Sequence, residues 1–375
     1  MTRHPAGDLP AAGASAALAR RLVPTMVPAH TTERVISTDQ VNHTVVVGDL
    51  AVDDAAGGSV GDAVGDVLAA DAVVGDAAVG DAVVVKWLMP PAPRPHRGAE
   101  VQAHLTEVGF TDMPRFLGCY EHDGRVVAML SQYIPHAREG WDWYVEELTD
   151  RPAAGLATAA RLGVLVARLH RALATPSSIF PTPVESGTLD DEARRGEALL
   201  DEALGCTAGE AGERLDVRAA LVRAAISALH HVGPVPVQPI HGDLHAGQFL
   251  RSSDTIVVTD FDGNPLIDPA EQRRPRSTLV DLAGLLQSID HVGRMVVKRN
   301  PQRAADVEAW IGDAIDAAHA AYRAEWPEGI APHHDEALTA LRAVQELHEF
   351  VYAARALPVW LYVPDAALSA MFPLD

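Results

Sequence analysis

The sequence predicts an α+β protein in two parts, a β-rich N-terminal part followed by a mainly helical C-terminal part. Three observations predict it. Between Arg34 and Lys86, short valine-rich runs are split by Gly-Asp pairs at 48–49, 61–62, 65–66, 75–76 and 80–81, which is strand-and-turn chemistry. Farther on, Leu162, Leu165, Leu169 and Leu173 recur at three- and four-residue spacing, the stripe of a helix packed on a core. Two β-branched runs, Val235–Ile240 and Ile256–Thr259, then interrupt the helices and flank a polar loop. The expected organisation is an Ala/Pro-rich N-terminal segment over 1–33, a β-rich part over 34–134 and a helical part over 135–375.

Composition narrows the class. At 375 residues, 48% apolar and 22% charged, the chain has the balance of a soluble globular protein and room for two or three domains. A net charge of −21 without any Lys/Arg-rich run argues against nucleic acid and anionic membrane as partners. It leaves phosphate ligands open, because a buried site can be locally basic. Cys119 and Cys206 are the only cysteines, so no disulfide framework or four-cysteine metal site can form, and a reducing, cytoplasmic setting is expected. No apolar run is expected to reach the length of a membrane span. The Arg20-Arg21 pair is followed by Pro24 and Pro28 with no apolar core, so a twin-arginine signal is not expected there.

The stretch 241–268 reads HGDLHAGQFLRSSDTIVVTDFDGNPLID. It places Asp243 and Gln248 on the loop and Asp260 at the end of the second β-branched run. An acid, an amide oxygen five residues on and a second acid 17 residues on suit metal-assisted phosphoryl transfer. That chemistry needs a carboxylate to take a hydroxyl proton and oxygen ligands for a hard cation on phosphates. His241 and His245 stand at i and i+4, the spacing of a zinc pair, but HExxH is absent and Gly242 disfavours a helix there. Both histidines read as loop-ordering residues.

HGDLHAGQ followed by DFDG resembles the aminoglycoside-phosphotransferase-like kinases, whose pattern is HGDxHxxN and then an acidic metal motif. Gln248 departs from the usual Asn. The departure and the DF-acid-G-x-P continuation are similar to the maltokinase branch and its relatives, the actinobacterial glucosamine kinases. The resemblance implies a two-lobed protein-kinase-like fold, with a small N-terminal cap on a β-rich N-lobe and a mainly helical C-lobe. It implies ATP and Mg²⁺ as cofactors, Asp243 as catalytic base, and Gln248 and Asp260 as Mg²⁺ ligands. Asp281 in LVDLAGLL resembles the buried aspartate that supports the catalytic loop of this superfamily.

Ala14–Val23 forms a short helix before Pro24, read as a reduced cap, with a loosely held arm as the other reading. A phosphate-covering loop is expected within 57–80, with no single glycine assignable. The run AVVVKW ends a strand at Lys86, one of only two lysines against 28 arginines. A point-like ammonium on a strand suits triphosphate oxygens. Glu100 opens a predicted helix over Gly98–Val108 and resembles the helix glutamate that pairs with the strand lysine, Glu107 being the competitor. Arg125–Tyr133 is the next strand. The resemblance makes Ser131, Gln132 and Tyr133 the adenine hinge, and Met129 part of the adenine pocket.

Helices are expected over Trp141–Leu148, Gly155–Ala174, Asp190–Leu204, Leu215–His231, from Ser277 as N-cap, Asp306–Trp326 and His334–Ala356. The island Arg273-Arg274-Pro275-Arg276 could neutralise phosphate, but reads first as a partner for Asp281 or a surface cluster. The run VQELHEFVYAARALPVWL is similar to the C-terminal run of maltokinases, matching at Glu349, Tyr352, Arg355 and Trp360. Gln345, Glu346 and Glu349 lie on neighbouring turns, so their polar groups could converge on a sugar, with Trp360 offering a flat apolar face and His245 on the acceptor side. The expected acceptor is a small sugar, glucosamine phosphorylated at its 6-hydroxyl. Maltose and aminoglycosides are the alternative acceptors, and a non-catalytic nucleotide- or sugar-binding pseudokinase is the reading from another class.

Overall fold

The computed structural model describes residues 10–27, 31–38, 42–48, 82–264, 267–326 and 335–374. The expected phosphate-covering loop at 57–80 and the later Gly-Asp pairs lie outside the described residues. The chain divides into two compact units, 1–140 with 248–262, and 141–247 with 263–375.

The first unit is built on an antiparallel sheet of β1 (Thr32–Thr38), β2 (Asn42–Gly48), β3 (Val83–Pro93), β4 (Phe116–His122) and β5 (Arg125–Gln132), in the order β1-β2-β3-β5-β4. The period-two alternation of β3 sorts its side chains. Val83 and Val85 join Val45, Val47, Ala128 and Leu130 on one face, where helix α1 (Ala14–Leu22) adds Ala16, Leu18 and Ala19. α1 carries no side-chain cap of its own. The carboxylate of Glu33 accepts instead from the amides of Gly13 (2.8 Å) and Ala16 (2.6 Å), donors a helix start leaves unmet. Val84 and Lys86 point to the opposite face, where Thr44 and Met129 flank Lys86 in register. Helix α2 (Arg97–Glu107) covers part of that face through Ala99, against Leu88, Val126 and Met129.

A small sheet of β6 (Arg138–Glu139), β9 (Phe249–Ser252) and β10 (Thr255–Val258) completes this unit. It moves the expected boundary. Residues 248–262 were expected with the helices, but Arg138 pairs with Arg251 and the Val258 amide bonds Asp112 O at 2.9 Å, which ties them to the sheet unit.

The second unit is helical: α3 (Gly140–Asp150), α4 (Pro152–Leu173), α5 (Asp190–Cys206), α6 (Gly209–Ala228), the short α7 (Pro269–Gln272), α8 (Leu279–Arg299), α9 (Ala304–Glu325), α10 (Asp335–Ala356) and α11 (Tyr362–Met371). A two-stranded ribbon, β7 (Glu185–Gly187) with β8 (Val235–Val237), accompanies them. α8 is the central element, buried on all sides from Leu282 to Arg294. α5, α6, α10 and α11 share a second core through Leu200, Ile226, Val344, Leu347, Phe350 and Leu368. Arg214 ties α6 to α11 by a forked pair with Asp365 at 2.7 and 3.0 Å. By length and mean hydropathy (1.2), α4 is apolar enough to cross a membrane, against the expectation that no run would be, and half of that apolar window is buried.

α4 and α9 approach closely because both are rich in small residues. The backbone carbonyl of Ala318 occupies the place a Cβ on Gly163 would take. Gly163→Ala is therefore expected to push two backbones apart and cost about 1–3 kcal/mol. Urea unfolding measures it; an unchanged midpoint would show that the helix pair adjusts freely.

Candidate active site

The carboxylate of Asp281 organises the loop that carries Asp243. It sits in the first turn of α8, 2% exposed, and accepts the amides of His241 at 2.6 Å and Gly242 at 2.8 Å. Nε2 of His170 lies 3.0 Å from the same carboxylate, and Nδ1 of that ring 2.7 Å from the Tyr322 hydroxyl. Burial alone would raise the Asp281 carboxyl. The hydrogen bond and charge of His170, with the loop donors, outweigh it and hold the carboxyl down at about 2. Gly242 takes a φ of 83°, the left-handed turn that aims both amides inward. A Cβ at Gly284 would strike the Leu244 carbonyl, so this glycine lets α8 lie against the loop. Arg276 and Gln238 exchange backbone bonds just before the loop. The Arg276 guanidinium forks onto Glu192 at 2.7 and 2.8 Å rather than onto Asp281 or solvent, which corrects both readings of that residue.

Asp243, half-buried, and Gln345 line one small cavity of about 60 Å³ with Asn264, His348 and Arg195. Next on the loop, His245 accepts the Gly247 amide at 3.1 Å and stacks on Trp141, with ring centres 5.8 Å apart and planes 16° apart.

The other predicted acceptor residues gather around Trp141, with two corrections. Glu346 is fully buried and bonds His291 Nε2 at 2.7 Å. A helix turns about 100° per residue, so Gln345 reaches the cavity while Glu346 faces the core. Trp360 is 7% exposed, its indole N–H donates to Glu349 at 2.9 Å, and its ring meets Trp141 edge-on. It offers an edge within a ring cluster, not an open face. Tyr352 is exposed and Arg355 pairs with Glu202 at 2.5 Å.

In the sheet unit, Lys86, Met129, Ser131, Tyr133 and Asp260 line one cavity of about 230 Å³. The amides of Gln132 and Tyr133 are committed to Arg115 O (2.9 Å) and Ala82 O (3.0 Å). The Tyr133 hydroxyl accepts from Arg34 at 3.3 Å. The Gln248 carbonyl accepts the Thr259 amide at 2.8 Å, which sets Gln248 beside the residue preceding Asp260. Asp260 is exposed and adopts a φ of 60°, a left-handed conformation uncommon for a non-glycine residue.

Lys86 was expected to pair with Glu100. Its ion-pair partners are instead Asp260 at 2.9 Å and Asp262 at 2.7 Å, while Glu100 stands in the first turn of α2. The local reason is Gly98: its missing Cβ leaves room for the Asp262 carboxylate against the start of α2. Arg97, buried, donates to the Phe261 carbonyl and holds the turn between the two acids. Burial would lower the Lys86 ammonium, but the two carboxylates raise it well above the usual lysine range.

Magnesium fits this donor set. Among the described residues no cluster of three or more His, Cys, Asp or Glu forms a metal cage. Asp262 Oδ1, however, is buried with no hydrogen-bond partner, and a second carboxylate, Asp260, shares the Lys86 ammonium with it. Mg²⁺ is usually held by one or two protein carboxylates plus phosphate oxygens and water. Asp262, Arg97, Trp141 and His291 were absent from the sequence-derived site. Asp262 was legible in DFDG; the other three carried no motif.

A cavity lined by an ion-paired lysine stands in the first unit and a braced H-G-D loop in the second, and each is what a phosphoryl-transferring kinase requires. The sequence profile of the phosphotransferase enzyme family matches residues 69–271, and the chain belongs to that family. It is similar to the glucosamine kinase of Streptacidiphilus jiangxiensis, 36% identical over 92% of this chain and 74% of the relative. The glucosamine kinase of Mycolicibacterium smegmatis is 35% identical over 90% and 79% of the two chains. A solved glucosamine kinase in complex with glucosamine, ADP and inorganic phosphate superposes with a TM-score of 0.70 at 34% identity, covering 78% of this chain and 76% of that one.

Asp281 sets a pH prediction. Its folded pKa lies below the unfolded value of about 3.9, so its contribution is complete above about pH 4 and is lost as pH falls toward about 2. Asp281→Asn is expected to cost about 3–5 kcal/mol at neutral pH by leaving buried partners unmatched. Roughly 2 kcal/mol of that gap should close between about pH 4 and pH 2. Urea unfolding at pH 7 and pH 2.5 tests it; a gap of constant size refutes the role.

Proposed function

We propose that the chain is an ATP-dependent sugar kinase that transfers the γ-phosphoryl group to the 6-hydroxyl of glucosamine, giving glucosamine 6-phosphate. The observation that carries this reading is the likeness to the Streptacidiphilus glucosamine kinase over nine-tenths of the chain. The residues that phosphoryl transfer needs, Lys86, Asp243 and Asp260, all stand in the loops and strands just described. With ATP as donor and two unbridged cysteines, we place the reaction in the cytoplasm.

In this reading Lys86 holds phosphate oxygens and exchanges its two carboxylate partners for them. Ser131, Tyr133 and Met129 border the adenine. Asp260, with Asp262 and the Gln248 amide, would hold Mg²⁺, which when bound neutralises charge on the phosphates. Asp243 aligns the acceptor hydroxyl and takes its proton, while Asp281 fixes the backbone from which it projects. Gln345 and Glu349 supply the polar contacts to the sugar, with His245 and the Trp141 and Trp360 rings beside them. Glu349 meets the sugar ammonium, the group that separates glucosamine from glucose.

Asp243→Asn should leave MgATP affinity nearly unchanged and lower kcat by at least about 100-fold. Near wild-type turnover would remove Asp243 as the base. A coupled ADP-release assay across glucosamine, glucose, maltose and an aminoglycoside tests the acceptor, and maltose as best substrate would overturn the assignment. Glu349→Gln should shrink the glucosamine-to-glucose ratio of kcat/KM by roughly 10- to 150-fold, the worth of a charge-assisted hydrogen bond. An equal loss on both sugars would make its role one of shape.

A further inference from the structure

We propose that His291 and Glu346 form a positioning pair for the acceptor: a buried imidazolium–carboxylate unit that holds Trp141 and Trp360 in place. The role as an acceptor wall rests on the sugar-kinase reading; the pair itself rests on geometry.

His291 is 4% exposed and Glu346 is fully buried, and their 2.7 Å contact joins the centre of α8 to α10. The His291 ring stacks with Trp141 at 6.4 Å and 17°, and meets Trp360 at 6.0 Å and 87°. Trp141 also stacks on His245 of the Asp243 loop. The buried pair thus touches both indoles of the acceptor side, and through Trp141 it reaches the catalytic loop. A pair of apolar residues would fill the same volume without a desolvation penalty. What the ion pair adds is direction, because a protonated imidazole is attracted to an indole face while its N–H fixes the carboxylate. Oε2 of Glu346 finds no hydrogen-bond partner, so the pair is not simply a saturated core network.

The surroundings favour a charged His291. Burial opposes a charge on His291, but Glu346, with Glu349 and Asp290 adding, raises it above the ordinary imidazole range. Burial pushes the Glu346 carboxyl up, with His291 opposing. Nearby charges are largely occupied elsewhere. Asp290 pairs with Arg294, which also holds Glu308; Arg342 donates to Gln287; and Glu349 accepts from Trp360. From α11, Tyr362 meets Trp360 edge-on and carries Lys298 over its own ring.

Two measurements test the proposal. In the ligand-free wild type, tryptophan emission is followed from pH 6 to pH 10, since an imidazolium beside an indole quenches it. Because the folded His291 pKa is raised, emission should rise on the alkaline side of the usual value of about 6.5. That step should be absent in His291→Gln and reduced in Trp141→Phe. A step that survives in His291→Gln overturns the pair. The second measurement is kinetic. His291→Gln and Glu346→Gln should raise the glucosamine KM by about tenfold while the ATP KM stays within about twofold. Equal changes in both, or none, in variants with wild-type circular dichroism would overturn the positioning role. Should neither variant fold, the wild-type titration and Trp141→Phe decide. Should the wild type not phosphorylate glucosamine, the sugar reading fails while the emission titration still reports on the pair.

Discussion

The carboxylate of Asp281 is the point on which the catalytic loop depends. Two adjacent backbone amides and an imidazole converge on it inside a helical core, and each would be costly to leave without a partner. Its place in the first turn of α8 adds the favourable end of the helix dipole. The constraint then runs outward. Gly242 must take a left-handed turn to present its amide, and Gly284 must lack a side chain for the helix to lie against Leu244. Asp243 inherits its backbone position from these requirements.

In the sheet unit the comparable constraint is the sidedness of β3. Val83 and Val85 are spent on the core under α1, so Val84 and Lys86 necessarily face the cavity. The three-residue turn Asp260–Phe261–Asp262 follows the same logic. Phe261 is buried, its carbonyl taken by Arg97, so the two acids beside it are driven toward the lysine.

Much of this was legible because local chemistry demanded contiguous residues. The loop around Asp243, the metal motif and Lys86 are written as short motifs, and the helices at 14–22, 152–173 and 335–356 carry apolar spacing that a core requires. β4 and β9 escaped notice. FLGCYEH runs along a sheet edge with no clean alternation, and FLRS is a four-residue strand, too short to show a period, inside what reads as a loop. The pairings that decide the site's electrostatics were not legible at all. Lys86 meets Asp262 across 176 positions and His291 meets Glu346 across 55, joined only by packing. A helix stripe gave Gln345, Glu346 and Glu349 equal standing, and only the third dimension sent Glu346 inward.

The paired lysine has a consequence for chemical modification. The chain has two lysines, and they differ as nucleophiles. Acylating reagents attack the free amine, and two carboxylates keep Lys86 in its ammonium form. Lys298 is exposed at the end of α8, with its ammonium over the Tyr362 ring 4.9 Å away. Amine-directed dyes or crosslinkers therefore have a single favoured lysine, far along the sequence from the ion-paired one. The protein can be tethered or labelled through it while the lysine that lines the cavity stays untouched.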